Sequence, residues 1–417
     1  MNFEFFISQR LISEKNTKNS VSGPIIKIAI IAISLGITMM LIAFATGMGL
    51  QEKIREKITA FNGDITISKF SSNQSQISLD PISIEQDFYP HFNHPEVEHI
   101  QAVATKFGII RTETDFEAII TKGVEKNYEW RYFEEYLTEG RLPNNYKEVK
   151  YSKEILISEY LANRLQFQLE DQVVVYYMKD ENSEKPRMIV FDVVGIYNSG
   201  FEEFDKSFLI ADLKQLQRIN KWQKNEVGYN EVGYFEILVK DFNKIQQVTE
   251  QVYQQVPSEL DTENILQKYP NIFEWLSMFD MNIAIIISLM ILVAGINMIT
   301  ALLVLILERT PMIGILKALG ATNWTIRKIF LINAGYLIIK GIFFGNLIGL
   351  GILLIQKYLK PIKLDPASYY VTEVPVYLDF SYIAFVNLGT LILCLLFLII
   401  PSIIVTKISP VKAIKFD

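Results

Sequence analysis

The chain has 417 residues, half of them hydrophobic, and a formal net charge of −6 at pH 7. These averages would suit a large soluble protein, so the distribution of the apolar residues has to decide the class. The single cysteine, Cys394, excludes a disulfide framework within the chain. The sequence also lacks G-x-x-x-x-G-K-[ST], which excludes the usual loop that binds nucleotide phosphates.

Four apolar segments are long enough to cross a bilayer as helices. A crossing needs about 20 apolar residues, because hydrocarbon offers no water to unsatisfied backbone groups. The segments run from Ile25 to Met48, Asn282 to Leu307, Ile329 to Gln356 and Tyr382 to Thr406. Helices buried in a soluble core rarely run so far without a polar face. The first segment is too long for the apolar core of a signal peptide, so we expect a retained anchor.

Charge is distributed unevenly along the chain. Residues 51–281 hold 25 Lys and Arg against 39 Asp and Glu, a net of −14, whereas the other residues hold 15 against 7, a net of +8. Short flanks rich in Lys and Arg stay in the cytoplasm. We therefore expect both termini and the 308–328 loop in the cytoplasm, with 51–281 and the 357–381 loop on the opposite side. No nucleic-acid partner is expected.

The predicted fold class is a membrane α-helical protein with four transmembrane helices and a large inserted α+β domain. Short β-rich runs alternate with polar turns and a few helical stretches in the inserted part, which is typical of a folded α+β domain. In chain order we expect a cytoplasmic amphipathic segment (1–24), a first span (25–48), the α+β domain (49–281), a second span (282–307), a cytoplasmic helix and loop (308–328), a third span (329–356), an outer loop (357–381), a fourth span (382–406) and a cytoplasmic tail (407–417).

Six strands and three helices are predicted in the inserted domain. The strands are Asp64–Lys69, Ala102–Ile110, Ala118–Gly123, Gln172–Met178, Met188–Ile196 and Phe235–Val239, and the helices are Ser158–Leu165, Ala211–Asn220 and Phe242–Gln255. The polar run from Lys179 to Arg187 separates two strands and predicts a protruding hairpin tip. The frequent aromatic residues suit either an ordinary core or an apolar binding surface, and the sequence leaves both open.

Two clusters in this domain invite a chemical interpretation. All three histidines, His91, His94 and His99, lie close together, but they flank a proline in an irregular stretch, so we expect a solvated loop and no metal site. Glu202, Glu203 and Asp205 could form paired catalytic carboxylates. Their position beside a glycine favours ordinary surface charge instead.

A short amphipathic helix is predicted between the second and third spans. Met312, Ile315, Leu316 and Leu319 recur at helical spacing, and charged residues lie toward its ends. We expect this apolar face to lie against the cytoplasmic side of the membrane.

The third span carries a glycine repeat and one lysine. Gly341, Gly345 and Gly349 recur every four residues, so they share one helix face and let a neighbouring backbone approach closely. Packing within the protomer or across a dimer would both use this face. Lys340 falls near the middle of the span, where a charge is costly, and its role is left open.

Several of these segments resemble the FtsX/MacB-type permeases of ABC transporters, and within them the LolC/LolE lipoprotein-releasing permeases. The run from Glu308 to Ala321 is similar to the coupling helix of that family and is the most specific match. Segments 6–11, 34–37, 47–51 and 409–414 resemble the ends and first span of the family. Segments 155–162, 169–173, 193–197, 199–200 and 370–376 resemble the lipoprotein-releasing branch.

The resemblance implies a non-catalytic transmembrane subunit of the bacterial inner membrane with its large domain in the periplasm. The chain itself would bind no cofactor, and a LolD-like ATPase dimer would use ATP and Mg²⁺. The residues implied in ATPase coupling are Glu308, Arg309, Met312, Ile313, Gly314, Ile315, Leu316, Lys317, Leu319 and Gly320. A second permease copy or a paralogue would complete the transporter, in contact with membrane lipid.

The implied activity is mechanotransmission. Nucleotide-driven closure of the ATPase would move the first two spans and the outer domain, so that a lipoprotein leaves the membrane and passes to a LolA-like periplasmic carrier. The hairpin with Lys179, Pro186 and Arg187 occupies the place of a longer carrier-docking hook in LolC-type members. Burial of acyl chains is worth about 0.8 kcal/mol per CH₂, so extraction requires an energy source.

Two other functions are weighed against this one. A MacB/FtsX-like permease could serve efflux or the regulation of cell-wall hydrolases, although MacB-like chains carry a fused ATPase and division-type chains have a smaller outer domain. A membrane-anchored adhesin or receptor would have no use for an ATPase-docking helix.

Overall fold

The computed structural model describes residues 3–13, 22–70, 80–113, 115–144, 151–178, 186–224 and 229–407. The chain divides into two compact units. The membrane unit comprises Met1–Gln51, Trp275–Lys363 and Glu373–Asp417, and the outer unit comprises Glu52–Glu274 and Leu364–Thr372. The outer unit is therefore built from two stretches that are far apart in the sequence.

Fourteen helices are found in the described residues. They are α1 (Phe3–Ser13), α2 (Ser22–Asn62), α3 (Arg131–Tyr136), α4 (Glu159–Leu165), α5 (Glu202–Asp205), α6 (Leu213–Asn220), α7 (Ile245–Tyr253), α8 (Ile265–Lys268), α9 (Pro270–Glu308), α10 (Thr310–Ala318), α11 (Asn323–Leu359), α12 (Pro366–Tyr369), α13 (Phe380–Ser402) and α14 (Ile404–Lys407). A 3₁₀ turn, Phe242–Lys244, precedes α7.

Twelve strands are found in the same described ranges. They are β1 (Ile65–Lys69), β2 (Ile82–Ser83), β3 (Val97–Arg111), β4 (Phe116–Val124), β5 (Leu137–Gly140), β6 (Glu154–Ser158), β7 (Gln172–Tyr177), β8 (Arg187–Tyr197), β9 (Phe208–Asp212), β10 (Glu231–Val232), β11 (Tyr234–Val239) and β12 (Leu260–Asn264). The six predicted strands are all present, with shifts at their ends.

Four helices, α2, α9, α11 and α13, are long and apolar enough to cross a membrane. The predicted fold class, four membrane helices with an inserted α+β domain, is confirmed. Three of the helices extend well beyond the predicted spans, with 41 residues in α2, 39 in α9 and 37 in α11. At about 1.5 Å per residue they are about 55–62 Å long, roughly twice the hydrocarbon thickness.

The core of the membrane unit lies between α2, α9, α11 and α13. Ile33, Met298 and Phe330 are fully buried there. Asn346 of α11 and Asn387 of α13 exchange two hydrogen bonds, 2.8 and 3.0 Å long. Each amide satisfies the other, which suits two half-buried polar groups on apolar helices.

A ten-stranded sheet forms the outer unit, and six of its strands close into a ring. The order in the ring is β3–β4–β9–β6–β8–β7, and β7 closes it by pairing with both β8 and β3. The pairs β4–β9 and β6–β8 are parallel. Beyond the ring, β11, β1 and β12 extend the sheet from β3.

The interior of this ring, which we call the strand ring, is a closed apolar core. Ile110, Ile119, Val175, Phe191 and Leu209 are all fully buried. Each comes from a different strand of the ring. Side chains alternate along a strand, so the neighbours of each of these residues point to the outside of the ring.

Candidate functional site

The helix between the second and third spans, α10, is terminated by local sequence signals. Its C-terminal end is a Schellman motif, in which the Ala321 N–H donates to the Leu316 carbonyl over 2.9 Å and the Gly320 N–H donates to the Lys317 carbonyl over 3.1 Å. Gly320 has a φ of +91°, a conformation that glycine adopts without strain. Thr322 then caps α11 by accepting a hydrogen bond from the Thr325 N–H over 3.2 Å.

The apolar residues of α10 divide between two faces. Ile313 and Gly314 are buried, and Met312 and Leu316 pack against the core of the membrane unit. Ile315 and Leu319, one helical turn apart, are 53% and 80% exposed. This differs from the single apolar face predicted from Met312, Ile315, Leu316 and Leu319. At 3.6 residues per turn, neighbours such as Ile315 and Leu316 point about 100° apart.

The exposed face of α10 is an apolar patch at one end of the helix bundle. We call it the elbow patch, and its residues are Pro311, Ile315, Ala318 and Leu319. On the other side of the helix, the Lys317 ammonium donates to the Val405 carbonyl in α14 over 2.8 Å. Glu308 is exposed and Arg309 half-buried just before the helix. The elbow patch is therefore held on a helix that is fixed to the bundle.

The glycine face of α11 contacts α2 of the same chain. A Cβ at Gly341 would lie 2.6 Å from Ile33 Cγ2, and a Cβ at Gly345 would lie 2.6 Å from the Cβ of Ile37. At Gly349 the nearest atom would be in Leu41, at 3.2 Å. The four-residue repeat of α11 thus meets a four-residue repeat of larger side chains in α2, and packing occurs within the protomer.

The C-terminal end of α2 is anchored in the core of the outer unit. The Lys122 ammonium donates to the Phe61 carbonyl over 2.8 Å, and the Tyr128 hydroxyl donates to the Ala60 carbonyl over 2.9 Å. The last carbonyls of a helix lack partners within the helix and carry its partial negative charge. A buried cation and a buried hydroxyl supply the missing donors, so the helix end is held by the sheet.

Lys122 belongs to a buried ion pair that sequence reasoning missed. Its Nζ lies 2.6 Å from Glu236 Oε1, and both side chains are fully buried. Gln101 donates to the other Glu236 oxygen over 2.8 Å. Burial lowers the pKa of Lys122, and the negative charge of Glu236 opposes that shift. The sequence did contain a signal for this pair. Lys122 and Glu236 each interrupt the apolar pattern of a predicted strand.

Comparisons with known families cover most of the chain. The model of the MacB-like periplasmic core domain matches residues 28–255, which is more than half of the chain. The model of the FtsX-like permease C-terminal region matches residues 284–410, which include α10. The chain belongs to the FtsX/MacB-type permeases of ABC transporters. It is a membrane protein with a large periplasmic domain, and a permease of this type works with an ATPase.

Two relatives align with this FtsX/MacB-type permease over nearly its full length. The lipoprotein-releasing system transmembrane protein LolC of Xylella fastidiosa (strain Temecula1) is 21% identical over 408 residues, covering 93% of each chain. The LolE protein of Haemophilus influenzae is 21% identical over 438 residues, covering 100% of each. The resemblance to LolC and LolE is confirmed. Among solved structures, the periplasmic region of MacB from Actinobacillus actinomycetemcomitans covers 52% of this chain and 93% of its own, with 14% identity and a TM-score of 0.33.

The permease also has a segment between α11 and α13, Leu364–Thr372, that belongs to the outer unit. We call this segment the strap. The Lys57 ammonium donates to the Tyr370 carbonyl over 3.1 Å, and the Tyr370 ring stacks on Phe201 with 4.8 Å between centroids. Gly200 has a φ of +64°, a conformation that residues with a side chain rarely adopt, and a Cβ there would lie 2.9 Å from Lys57 Nζ. The strap is packed into the outer unit of the permease.

Asp205, beside the strap, is buried, which corrects the expectation of surface charge for this cluster. Glu203 is exposed, but Asp205 accepts hydrogen bonds from the Ser199 hydroxyl over 2.6 Å and the Gly200 N–H over 3.0 Å. Burial raises the pKa of Asp205 to about 6. Its carboxylate organises the Ser199–Gly200 turn.

Two of the three histidines form hydrogen bonds with other protein groups. His94 Nε2 lies 2.7 Å from Gln251 Oε1, and His99 Nε2 lies 2.8 Å from the Asn127 carbonyl. His91 is exposed. Across the described ranges, no three or more His, Cys, Asp or Glu side chains are grouped to hold a metal ion.

The remaining positions singled out in the sequence are the hairpin residues and Lys340. Lys179 lies outside the described residues, and Pro186 is exposed. The Arg187 guanidinium donates to the Arg218 carbonyl over 2.9 Å, so it fixes β8 to the end of α6. Lys340 is exposed on α11, with its Nζ 4.5 Å from the centroid of the Tyr336 ring.

Proposed function

We propose that this permease extracts lipoproteins from the bacterial inner membrane and passes them to a LolA-like periplasmic carrier. The energy would come from a separate LolD-like ATPase dimer that binds ATP and Mg²⁺. A second permease copy or a paralogue completes the transporter, and both termini lie in the cytoplasm. This proposal rests on the full-length similarity to proteins named LolC and LolE and on one structural feature, the elbow patch.

The elbow patch has the chemistry of a docking surface. Exposed apolar side chains clustered on one helix face mark a binding site when they lie in water. Lys317, Arg327 and Lys328 lie nearby in the sequence, and basic flanks of this kind remain on the cytoplasmic side. Ile315 and Leu319 would therefore face an ATPase groove rather than lipid.

Long helices give this site a mechanical connection to the outer unit. Both α2 and α9 continue without interruption from the membrane unit into the outer unit. Within the membrane unit, the Gln51 amide donates to the Leu276 carbonyl over 3.1 Å and to Asp280 over 2.9 Å, so the two helices are joined there. A push on α10, which directly follows α9, would be carried along α9 and shared with α2.

Introduction of a charge on the elbow patch tests the docking step. Ile315→Glu and Leu319→Glu place a carboxylate in the proposed apolar contact without entering the bundle core. Each variant should lose at least about tenfold of its affinity for the ATPase subunit, because burying an unpaired charge is costly. Copurification from membranes and titration of the purified components measure this loss.

Leu359→Glu is the matched control. Leu359 is 75% exposed. It is the last residue of α11, the third membrane helix, whose first residue follows α10. ATPase binding should be unchanged in this variant. If Ile315→Glu and Leu319→Glu also bind normally, α10 is not the coupling helix.

Lipoprotein sorting tests the cargo. Depletion of the permease should leave outer-membrane lipoproteins in the inner membrane, as measured by fractionation. Normal sorting together with an intact ATPase interaction would favour efflux or regulation of cell-wall hydrolases instead.

A further inference from the structure

The strap is connected to the membrane helices by two short segments of the membrane unit. Residues 360–363 join it to the end of α11, and residues 373–379 join it to the start of α13. A fully extended chain covers about 3.3–3.6 Å per residue, so the first segment alone could absorb roughly 13 Å of movement if it were unstructured. The strap can transmit movement only if this free length is removed.

One glutamine fastens both segments to the end of α11. The Gln356 amide accepts a hydrogen bond from the Ile362 N–H over 3.1 Å. It donates to the carbonyls of Ile362 and Val374, again over 3.1 Å each. Gln356 is 4% exposed. An ion pair between Lys360 and Glu373, with 2.5 Å between Nζ and Oε1, adds a second connection between the segments.

The two ends of the strap are also paired with each other through the backbone. The Val374 N–H donates to the Ile362 carbonyl over 3.3 Å, and the Leu364 N–H donates to the Thr372 carbonyl over 3.0 Å. An antiparallel bridge lies between these two bonds. The strap is therefore a loop with a closed base, and its two ends move together.

The segment before α13 is fixed to α2 within the membrane unit. The Tyr377 N–H donates to the Ala45 carbonyl over 2.9 Å. The chain also passes so close to the helix that a Cβ at Gly49 would lie 2.8 Å from the Pro375 carbonyl oxygen. The base of the strap is thus held by the first and third membrane helices, and little of the connecting chain is left to extend.

The tip of the strap is packed into the outer unit. Tyr370 contacts Lys57 and Phe201. The next residue, Val371, is 4% exposed. Protein interiors are packed as densely as organic crystals, so a buried tip does not slide. Movement of the base must therefore move the outer unit or break these contacts.

We propose that the strap is a mechanical link through which α11 moves the outer unit, an inference that rests on the proposed function. α10 lies between α9 and α11 in the chain, and Thr322 caps the start of α11 directly after it. A push on α10 would therefore follow two routes, one along α9 and α2 and the other along α11 and the strap. Gln356 and Tyr370 are positioning residues that fix the base and the tip.

A variant with a lengthened strap tests the link in the full permease. Four residues, Gly-Ser-Gly-Ser, are inserted between Lys363 and Leu364, and again between Thr372 and Glu373. The contacts of the base and of the tip are retained, but roughly 13 Å of flexible chain is added on each side. We call this protein the slack variant. The control carries the same four residues after Ser258, in an exposed turn of the outer unit.

The distance between α11 and the outer unit is the first readout. Spin labels are attached to Tyr358→Cys near the end of α11 and to Asn163→Cys on α4, both exposed positions. The native cysteine, Cys394, is buried. With the ATPase present, the wild type and the control should give one narrow distance distribution with and without ATP. The slack variant should broaden it by about 5 Å or more, within the length of the added chain.

Cargo release per ATP is the second readout. Proteoliposomes contain the permease, its ATPase and a biotinylated triacyl lipopeptide, with serum albumin outside as an acceptor. The slack variant should still hydrolyse ATP, but it should release about tenfold fewer lipopeptides for each ATP. A strap that only stabilises the fold would lower release and hydrolysis together, because both scale with the amount of folded protein, and their ratio would stay constant.

Tyr370 tests the tip of the strap with the same ratio. Tyr370→Ala removes the ring that stacks on Phe201. It should lower release per ATP as the slack variant does. Tyr370→Phe keeps the ring and the backbone carbonyl, and should retain the wild-type ratio.

The outcomes separate this link from the proposed function. A slack variant with the wild-type distance distribution, or with the wild-type ratio of release to hydrolysis, would overturn the link. Absence of ATP-driven release from the wild type would overturn the proposed function, and the distance distributions would then decide alone whether the strap joins α11 to the outer unit.

Discussion

Lys122 and Glu236 form an ion pair with 2.6 Å between Nζ and Oε1, although neither side chain reaches solvent. Lys122 also donates to the carbonyl of Phe61, the residue before the last of the first membrane helix. One buried cation thus joins β4, β11 and the end of α2. Removing one partner of such a pair leaves an uncompensated buried charge, which costs about 3–5 kcal/mol.

Lys122→Met should therefore destabilise the outer unit strongly. We expect the midpoint of thermal unfolding of the full protein in detergent to fall by roughly 6–20 °C. Lys122→Met combined with Glu236→Leu should recover much of this loss, since no charge is then left without a partner. Arg131→Met, which breaks a half-exposed pair with Glu98, is the control and should cost at most about 1 kcal/mol. Equal effects of Lys122→Met and Arg131→Met would contradict the anchoring role.

Gly345→Val should prevent close packing of the third membrane helix on the first. A Cβ at this position would lie 2.8 Å from the backbone oxygen of Ser34, which cannot move aside as a flexible side chain can. We expect little monodisperse protein after extraction in detergent, as measured by size-exclusion chromatography. Gly351→Val is the matched control in the same helix, because nothing lies within 4 Å of a Cβ there. Similar yields of both variants would show that the glycine face does not determine the packing.

The stability contribution of Asp205 should depend on pH. Burial raises its pKa from 3.8 in the unfolded chain to about 6, so the folded state binds the proton more tightly. This contribution is fully present below pH 3.8 and is lost as the pH rises through about 6. The difference in unfolding midpoint between the wild type and Asp205→Asn should therefore shrink between pH 4 and pH 7.

Glu134→Gln, at an exposed position on α3, is the control for this titration. Its difference from the wild type should stay nearly constant over the same range. A wild-type advantage over Asp205→Asn that is constant or grows with pH would refute the assignment to Asp205.

The membrane spans could be predicted because a single physical requirement, apolar length, defines them. The lengths of the helices beyond those spans could not be predicted, since α2 continues to Asn62 and α9 begins at Pro270. Beyond the bilayer these helices are polar on some faces, and contacts in the outer unit, such as the Phe61 carbonyl with Lys122, stabilise their ends. Sequence periodicity contains no information about those partners.

In the outer unit, the strands with strong apolar alternation were predicted and several short ones were missed. β5, β6, β9 and β12 have four or five residues each, so the pattern in them is brief. Closure of the strand ring depends on β7 pairing with β3, more than 60 residues earlier in the chain. The pairing also decides which aromatic residues are core and which, like Phe116, are exposed.

The candidate site was predicted in position but not in orientation. The sequence placed the short helix between the second and third spans, yet it assigned Ile315 and Leu316 to one face. Contact with the bundle decides this, since Ile313 and Gly314 occupy the buried side. Charge substitutions at Gly314 would therefore disturb folding, whereas Ile315 and Leu319 can report on docking alone.

The strap has a consequence for biogenesis. Tyr370 lies nearly a hundred residues beyond the end of the main stretch of the outer unit, and it reaches Phe201 and Lys57 only after the third span has been synthesised and inserted. Until then Phe201 lacks this stacking partner, and Lys57 lacks this hydrogen-bond acceptor. The outer unit thus completes its packing in two stages. The second stage requires that α11, a helix of the membrane unit, has already crossed the membrane in the correct direction.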